Sequence, residues 1–176
     1  DNREIFSLEE MTSLFSLERV QKGGAIFDAI KLDWINREHV KMKTSQELAI
    51  LIAKHVPAKW LKSGLDFSKI ALLVQERVSK LSDAAQEIRF FFEMPVYPPQ
   101  MLFWKGRGDK EKIVKHLAKV GEIISEIEEN NFTSKNIESA VMPYAEEEGR
   151  GDVLWPLRVA LSGKEKSPGP FEIAEI

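Results

Sequence analysis

Residues 109–130 read DKEKIVKHLAKVGEIISEIEEN. Apolar side chains recur at Ile113, Leu117, Val120, Ile124 and Ile127, stepping by four and three. At about 3.6 residues per turn these fall on one face of a helix, with lysines and glutamates around the rest. Asp109 stands where an N-cap belongs, so the spacing predicts a helix over the whole stretch. No alternating β pattern of useful length occurs elsewhere in the chain, and neither repeats nor low-complexity tracts appear. The class expected is therefore all-α, with about eight to ten helices.

The same period continues outward. Towards the N-terminus, 67–81 places Phe67, Ile70, Ala71, Val74, Val78 and Leu81 on one face, and 27–42 spaces Phe27, Ile30, Trp34 and Ile35 helically. Ser7 with Glu10, and Thr44 with Glu47, have the form of capping boxes, the second opening a helix that Pro57 stops. Ser82 is expected to cap a helix running to about Phe92. Towards the C-terminus, Thr133 caps a helix with Ile137, Ala140, Val141 and Tyr144 inward. Asp152 is expected to cap a short helix, with Leu154, Leu157 and Leu161 packing and Pro156 tolerated in the first turn. A Ser-Pro-Gly-Pro turn at 167–170 then leads into a last helix at 171–176, inside which the chain is expected to stop. Residues 94–99 hold three prolines, which cannot continue a helix, and mark an expected boundary between two subdomains.

Composition narrows the functional classes. The chain has 176 residues, 43% apolar and 30% charged, and no cysteine. Disulfides, thiolate metal sites and a cysteine nucleophile are excluded. No apolar run approaches the ~20 residues of a membrane helix, and DNREIFSLEE has no signal-peptide pattern. The expected compartment is the cytosol. Arg-Gly-Asp occurs at 107–109 and 150–152, and reads as a glycine turn before an aspartate cap in each case. The net charge is −3, so no global basic signal for nucleic acid exists. Locally, 103–119 holds six basic and two acidic residues, a difference of +4, and 150–166 holds four and two, a difference of +2.

Catalytic chemistry is missing from the pattern. His39, His55 and His116 have no partner at metal-ligand spacing. Gly106-Arg107-Gly108 lacks the strand–helix context of a phosphate loop. Lys41-Met42-Lys43-Thr44-Ser45 resembles the Lys-Met-Ser-Lys-Ser signature of class I aminoacyl-tRNA synthetases only superficially, since the residue order differs and no His-Ile-Gly-His companion exists.

Several stretches, in order, carry a more specific resemblance: 14–20 (LFSLERV), 25–28 (AIFD), 31–36 (KLDWIN), 73–78 (LVQERV), 90–92 (FFF), 102–105 (LFWK), 154–163 (LWPLRVALSG) and 167–172 (SPGPFE). Together they resemble the C-terminal, anticodon-binding half of bacterial-type glutamyl-tRNA synthetases, over nearly the whole chain. The resemblance implies two consecutive helical-bundle subdomains forming a cage for the anticodon loop. Residues 1–25 would be the tail of a stem-contact region, 26–93 the first subdomain and 94–176 the second. The parent enzyme would join glutamate to its tRNA using ATP and magnesium, through parts outside this chain, and would be a monomer. The partner implied is glutamate tRNA, with no DNA or membrane.

The resemblance also implies site residues. Arg77 matches the arginine that reads the third anticodon base. Read as part of a helix over 67–81, it lies about 80° from the centre of the apolar stripe, at the edge of the buried face. A guanidinium fork suits the acceptors of cytosine and not the donor edge of guanine, which points to an enzyme that rejects glutamine tRNA. Arg158 and the turn holding Ser167, Pro168 and Pro170 match anticodon-base contacts, although relatives often have leucine where Pro170 stands. Alternatively, Arg158 is a surface arginine at a helix end. Lys164 and Lys166 are expected at phosphates. Trp104 and Trp155 are either core residues or stacking platforms. A helical protein–protein adaptor is the other class compatible with the helicity.

Overall fold

The computed structural model describes residues 3–20, 23–24 and 26–176. Among these, ten α-helices and six short 3₁₀ turns occur, and no strand. The helices are α1 (Leu8–Leu14), α2 (Ala29–Lys41), α3 (Ser45–Ala53), α4 (Ala58–Leu61), α5 (Phe67–Val74), α6 (Ala84–Ile88), α7 (Lys110–Ser125), α8 (Ser134–Glu148), α9 (Arg150–Ser162) and α10 (Pro170–Ala174). The all-α class is as the sequence indicates.

Local capping chemistry sets many of the starts. Ser7 with Glu10 and Thr44 with Glu47 form complete capping boxes. Asp109 accepts from the Glu111 amide and Thr133 from the Asn136 amide. Two further caps add to those the sequence indicates. Asp28 accepts from Ile30 and Lys31, and Asp66 from Ser68 and Lys69.

Two cores form. The first gathers Leu48 and Ile52 of α3, Ile70, Ala71 and Val74 of α5, then Val78, Ala84 and Ile88. In it the Trp60 and Phe92 rings stack at 4.8 Å and 6°. The second gathers Val120, Ile137, Val141, Ala145, Val153, Leu157 and Phe171 from α7 to α10. The C-terminus joins the two. Ile176 packs on the first core, and Glu175 pairs with Lys69 of α5 at 3.0 Å while accepting the Ser134 amide of α8 at 2.9 Å.

Several expectations need correction. The helix expected over 67–81 ends at Val74, and Arg77 lies in the turn that follows, so its placement by helical angle does not hold. The cause is Gln75, a buried residue whose side-chain amide donates to the carbonyls of Val40, Lys41 and Lys43 at 2.9, 3.3 and 2.8 Å. It adds a side-chain donor to carbonyls at and just past the C-terminal end of α2, while Val78 stays fully buried beyond the break. Ser82 caps nothing. Its hydroxyl bonds the Asp83 carboxylate within a 3₁₀ turn, and the helix after it is only α6. The helix expected over 27–42 starts at Ala29 and leaves Phe27 exposed. The helix expected over 109–130 stops at Ser125, where the acidic 126–131 segment turns back. α3 ends at Ala53, before Pro57 is reached, and Pro57 instead stands at the N-cap of α4, which carries the buried Trp60.

Asp152 is the third residue of α9 and not its cap, which is Gly149. Gly149 turns the chain from α8 into α9 at φ 106°, ψ 114°, a conformation that side-chain-bearing residues rarely adopt. Asp152 then sits in the first turn, where its carboxylate faces the positive end of the helix. The earlier start puts Pro156 in the helix interior, not in the first turn, and Pro143 occupies the interior of α8. Each proline removes one helical hydrogen bond.

The α9 backbone also approaches Trp104 closely. A Cβ on Gly151 would lie 2.5 Å from Trp104 Nε1 and 2.7 Å from its Cδ1. Gly151→Ala is therefore expected to displace Trp104 and cost about 1–2 kcal/mol, read as a lower thermal midpoint, with far-UV circular dichroism unchanged.

Candidate anticodon-loop interface

Three of the residues that the sequence singles out, Arg77, Arg158 and Ser167, converge. The Arg77 guanidinium, carried by the turn after α5, donates through Nη2 to the carbonyl oxygen of Ser167. Arg158, in α9, donates through Nη1 to the same oxygen at 3.3 Å. Two cations from opposite halves of the molecule thus share one neutral acceptor, and neither is paired with a carboxylate among the described residues. A carbonyl dipole orients a guanidinium without neutralising it, so both keep charge and spare N–H donors. This contact spans 90 residues.

The 167–170 turn is built to present that carbonyl. Ser167, Pro168 and Pro170 are buried, and the Ser167 hydroxyl donates to the Pro168 carbonyl at 2.8 Å. Pro170 is the first residue of α10, a position where the missing N–H costs nothing. Because the proline rings are covered, this turn offers its backbone to the site.

Beside Arg158 lies a cleft of about 400 Å³ lined by Trp104, Arg150, Gly151, Leu154, Trp155 and Arg158, with no carboxylate. Trp104 and Trp155 are half-buried, their centroids 5.0 Å apart, and Trp155 donates to the Met101 carbonyl at 2.7 Å. Each is thus packed on one side and open on another. Lys164, expected at a phosphate, has its ammonium on the Glu87 carboxylate at 3.0 Å and the Gln86 carbonyl at 2.9 Å. It would reach a phosphate only by leaving that pair. Lys166 is exposed.

No group of three or more His, Asp or Glu among the described residues is placed to hold a metal ion. The residues here do not fit an ATP–magnesium centre, and no catalytic step is assigned to them.

The helical scaffold thus sets Arg158, bonded only to a carbonyl among the described residues, and two half-open tryptophan faces around one cleft. Residues 47–176 match the family described as "Anticodon binding domain", and the chain belongs to it. Its similarity is to one kind of member in particular. The glutamate–tRNA ligase of Clostridium acetobutylicum is 37% identical over 98% of this chain and 36% of its own length. That of Clostridium botulinum Eklund 17B is 38% identical with the same coverage. A crystal structure of a glutamate tRNA ligase from Elizabethkingia meningosepticum superposes with a TM-score of 0.80 at 27% identity, over 99% of this chain and 34% of that one. The chain therefore spans about a third of the length of these relatives.

Proposed function

We propose that this chain is the anticodon-recognition part of a glutamate–tRNA ligase. It grips the single-stranded anticodon loop of glutamate tRNA, while the ATP-dependent joining of glutamate takes place on parts of the parent outside these residues. The observation that carries the reading is the shared Ser167 carbonyl, which holds Arg77 and Arg158 at one place between the two halves. The two cores on either side of 94–99 support a division into two subdomains, the first ending near 93.

In this reading Arg77 faces the third anticodon base. Its free donors match the carbonyl and ring-nitrogen acceptors of cytosine, whereas guanine presents its own donors there and leaves the fork unpaired. The enzyme then rejects glutamine tRNA. Arg158 works beside it, the Ser167–Pro170 turn fixes both arginines, the open tryptophan faces take stacked bases, and Lys166 meets the backbone. The parent acts as a cytosolic monomer, and no helix of the described residues is long and apolar enough to cross a membrane.

The test is binding of the chain to glutamate tRNA at low salt, against the same tRNA with guanine as third anticodon base. Cytosine is expected to be preferred by roughly ten- to a hundred-fold, and Arg77→Gln is expected to abolish the preference. Equal binding of both RNAs by the unsubstituted chain would remove Arg77 as the reader. Binding that ignores rising salt would point to an apolar protein-docking module instead.

A further inference from the structure

A second cleft lies in the first half, away from the Ser167 carbonyl. It has a volume of about 420 Å³ and is bounded by the C-terminal ends of α2 and α3 and by residues 79–82. His39, Lys43, His55 and Lys80 line its rim, and Leu51 and Leu81 its apolar part. No carboxylate lines it, although acidic residues outnumber basic ones by 28 to 25 in the chain.

The cationic groups there are available. Lys80 pairs with Asp33 at 3.1 Å, with both side chains solvent-accessible, so the pair is weak and exchangeable. Lys43 is exposed and takes part in no ion pair among the described residues. Ser79 accepts from Arg37 at 2.9 and 3.1 Å, which brings another guanidinium to the edge and leaves the serine proton free to donate.

The position matters as much as the charge. Residues 79–82 continue the turn that carries Arg77. Lys80 follows Arg77 by three positions, at most ~11 Å of extended chain between their Cα atoms. A strand whose base is read by the Arg77 guanidinium, at the Ser167 carbonyl, reaches this cleft by running on along the 77–80 turn. An apolar floor under a cationic rim suits a sugar–phosphate unit better than a bare anion, because the ribose covers the leucines while the phosphate meets the lysines.

We propose that this cleft is a backbone subsite for the same RNA. It takes a phosphodiester of the strand leading away from the base at Arg77, with Lys43 and Lys80 on the phosphate oxygens. The inference rests on the anticodon reading above.

The experiment titrates the chain with a fluorescently labelled anticodon stem-loop RNA at several salt concentrations, for the unsubstituted protein, Arg77→Gln, and a Lys43→Gln/Lys80→Gln double variant. Both lysines are exposed, and circular dichroism checks that the double variant folds. At low salt the double variant is expected to bind about tenfold more weakly. Its plot of log affinity against log salt should be shallower by roughly 1.4, about 0.7 for each phosphate charge that a lysine no longer neutralises on a single strand. Its preference for cytosine over guanine should be unchanged. An unaltered affinity and slope in the double variant, with Arg77→Gln still losing the preference, overturns the subsite and leaves the anticodon reading standing. Displacement of RNA by inorganic phosphate at matched ionic strength, seen in the unsubstituted chain and absent in the double variant, makes the cleft a free-anion site and also overturns it. No RNA binding by the unsubstituted chain overturns the reading and the subsite together.

Discussion

Ile70→Ala is expected to lower the stability of the chain by about 2–5 kcal/mol, the usual range for emptying a large aliphatic site in a sealed core. Ile70 is fully buried in α5, among Leu48, Ile52 and Val74. None of these neighbours can relax outward, since each is itself fully buried. For a chain of this size a loss of 1 kcal/mol lowers the thermal midpoint by about 2–4 °C, so a fall of roughly 4–20 °C is expected. Thermal denaturation followed by circular dichroism measures it. A fall under about 2 °C would show that the first core closes over the vacancy. The substitution should also weaken the proposed RNA interface indirectly, because the turn bearing Arg77 hangs from the end of α5.

Glu175→Gln is expected to cost about 1.5–3 kcal/mol, the range for hydrogen bonds to a charged group. Its carboxylate accepts the Ser134 backbone N–H and pairs with Lys69, tying the C-terminal end of the chain to α8 and to α5. The Ser134 amide is the largest influence on its acidity, followed by the Ser134 hydroxyl and then by Lys69, and the pKa falls to about 2 from an ordinary 4.5. A depressed carboxyl stabilises the fold above its unfolded pKa. This contribution is therefore complete at neutral pH and is lost as pH drops from about 4.5 through about 2. Unfolding by urea at neutral pH and at about pH 3 should show the gap between the parent and Glu175→Gln narrowing with acid. A constant gap would mean that the clasp works through shape and not charge.

What can be read from the sequence divides by the range of the forces involved. Ser7, Thr44, Asp109 and Thr133 are legible as helix starts because an N-cap is closed by an amide two or three residues away. The buried faces of α7 and α8 are legible from their period. The end of α5 is not, because Gln75 answers to carbonyls 32–35 residues distant, and Val78 remains in the core and so preserves the apolar spacing through the break. Asp152 misleads because Gly149 and Asp152 both have the chemistry of a start, and only the reversal between α8 and α9 selects the glycine. In the candidate site, the identities of Arg77, Arg158 and Ser167 come from resemblance, whereas their common carbonyl is a tertiary contact that no local pattern encodes. The cleft at Lys43 and Lys80 has no sequence signature for the same reason, since its lining comes from three separate segments.

The four tryptophans are distributed so that each half of the molecule carries its own optical signal. Trp60, only 6% exposed and stacked on Phe92, sits in the first core and should emit at short wavelength. Trp104 and Trp155, 5.0 Å apart at 55°, are close enough for their transitions to couple, and they report the second half beside Arg158. Trp34, 39% exposed, contributes a solvent-like background. Melting followed by emission and by the coupled circular-dichroism band thus watches the two halves of the cage separately without any added label, and coincident curves mean that they open as one cooperative unit.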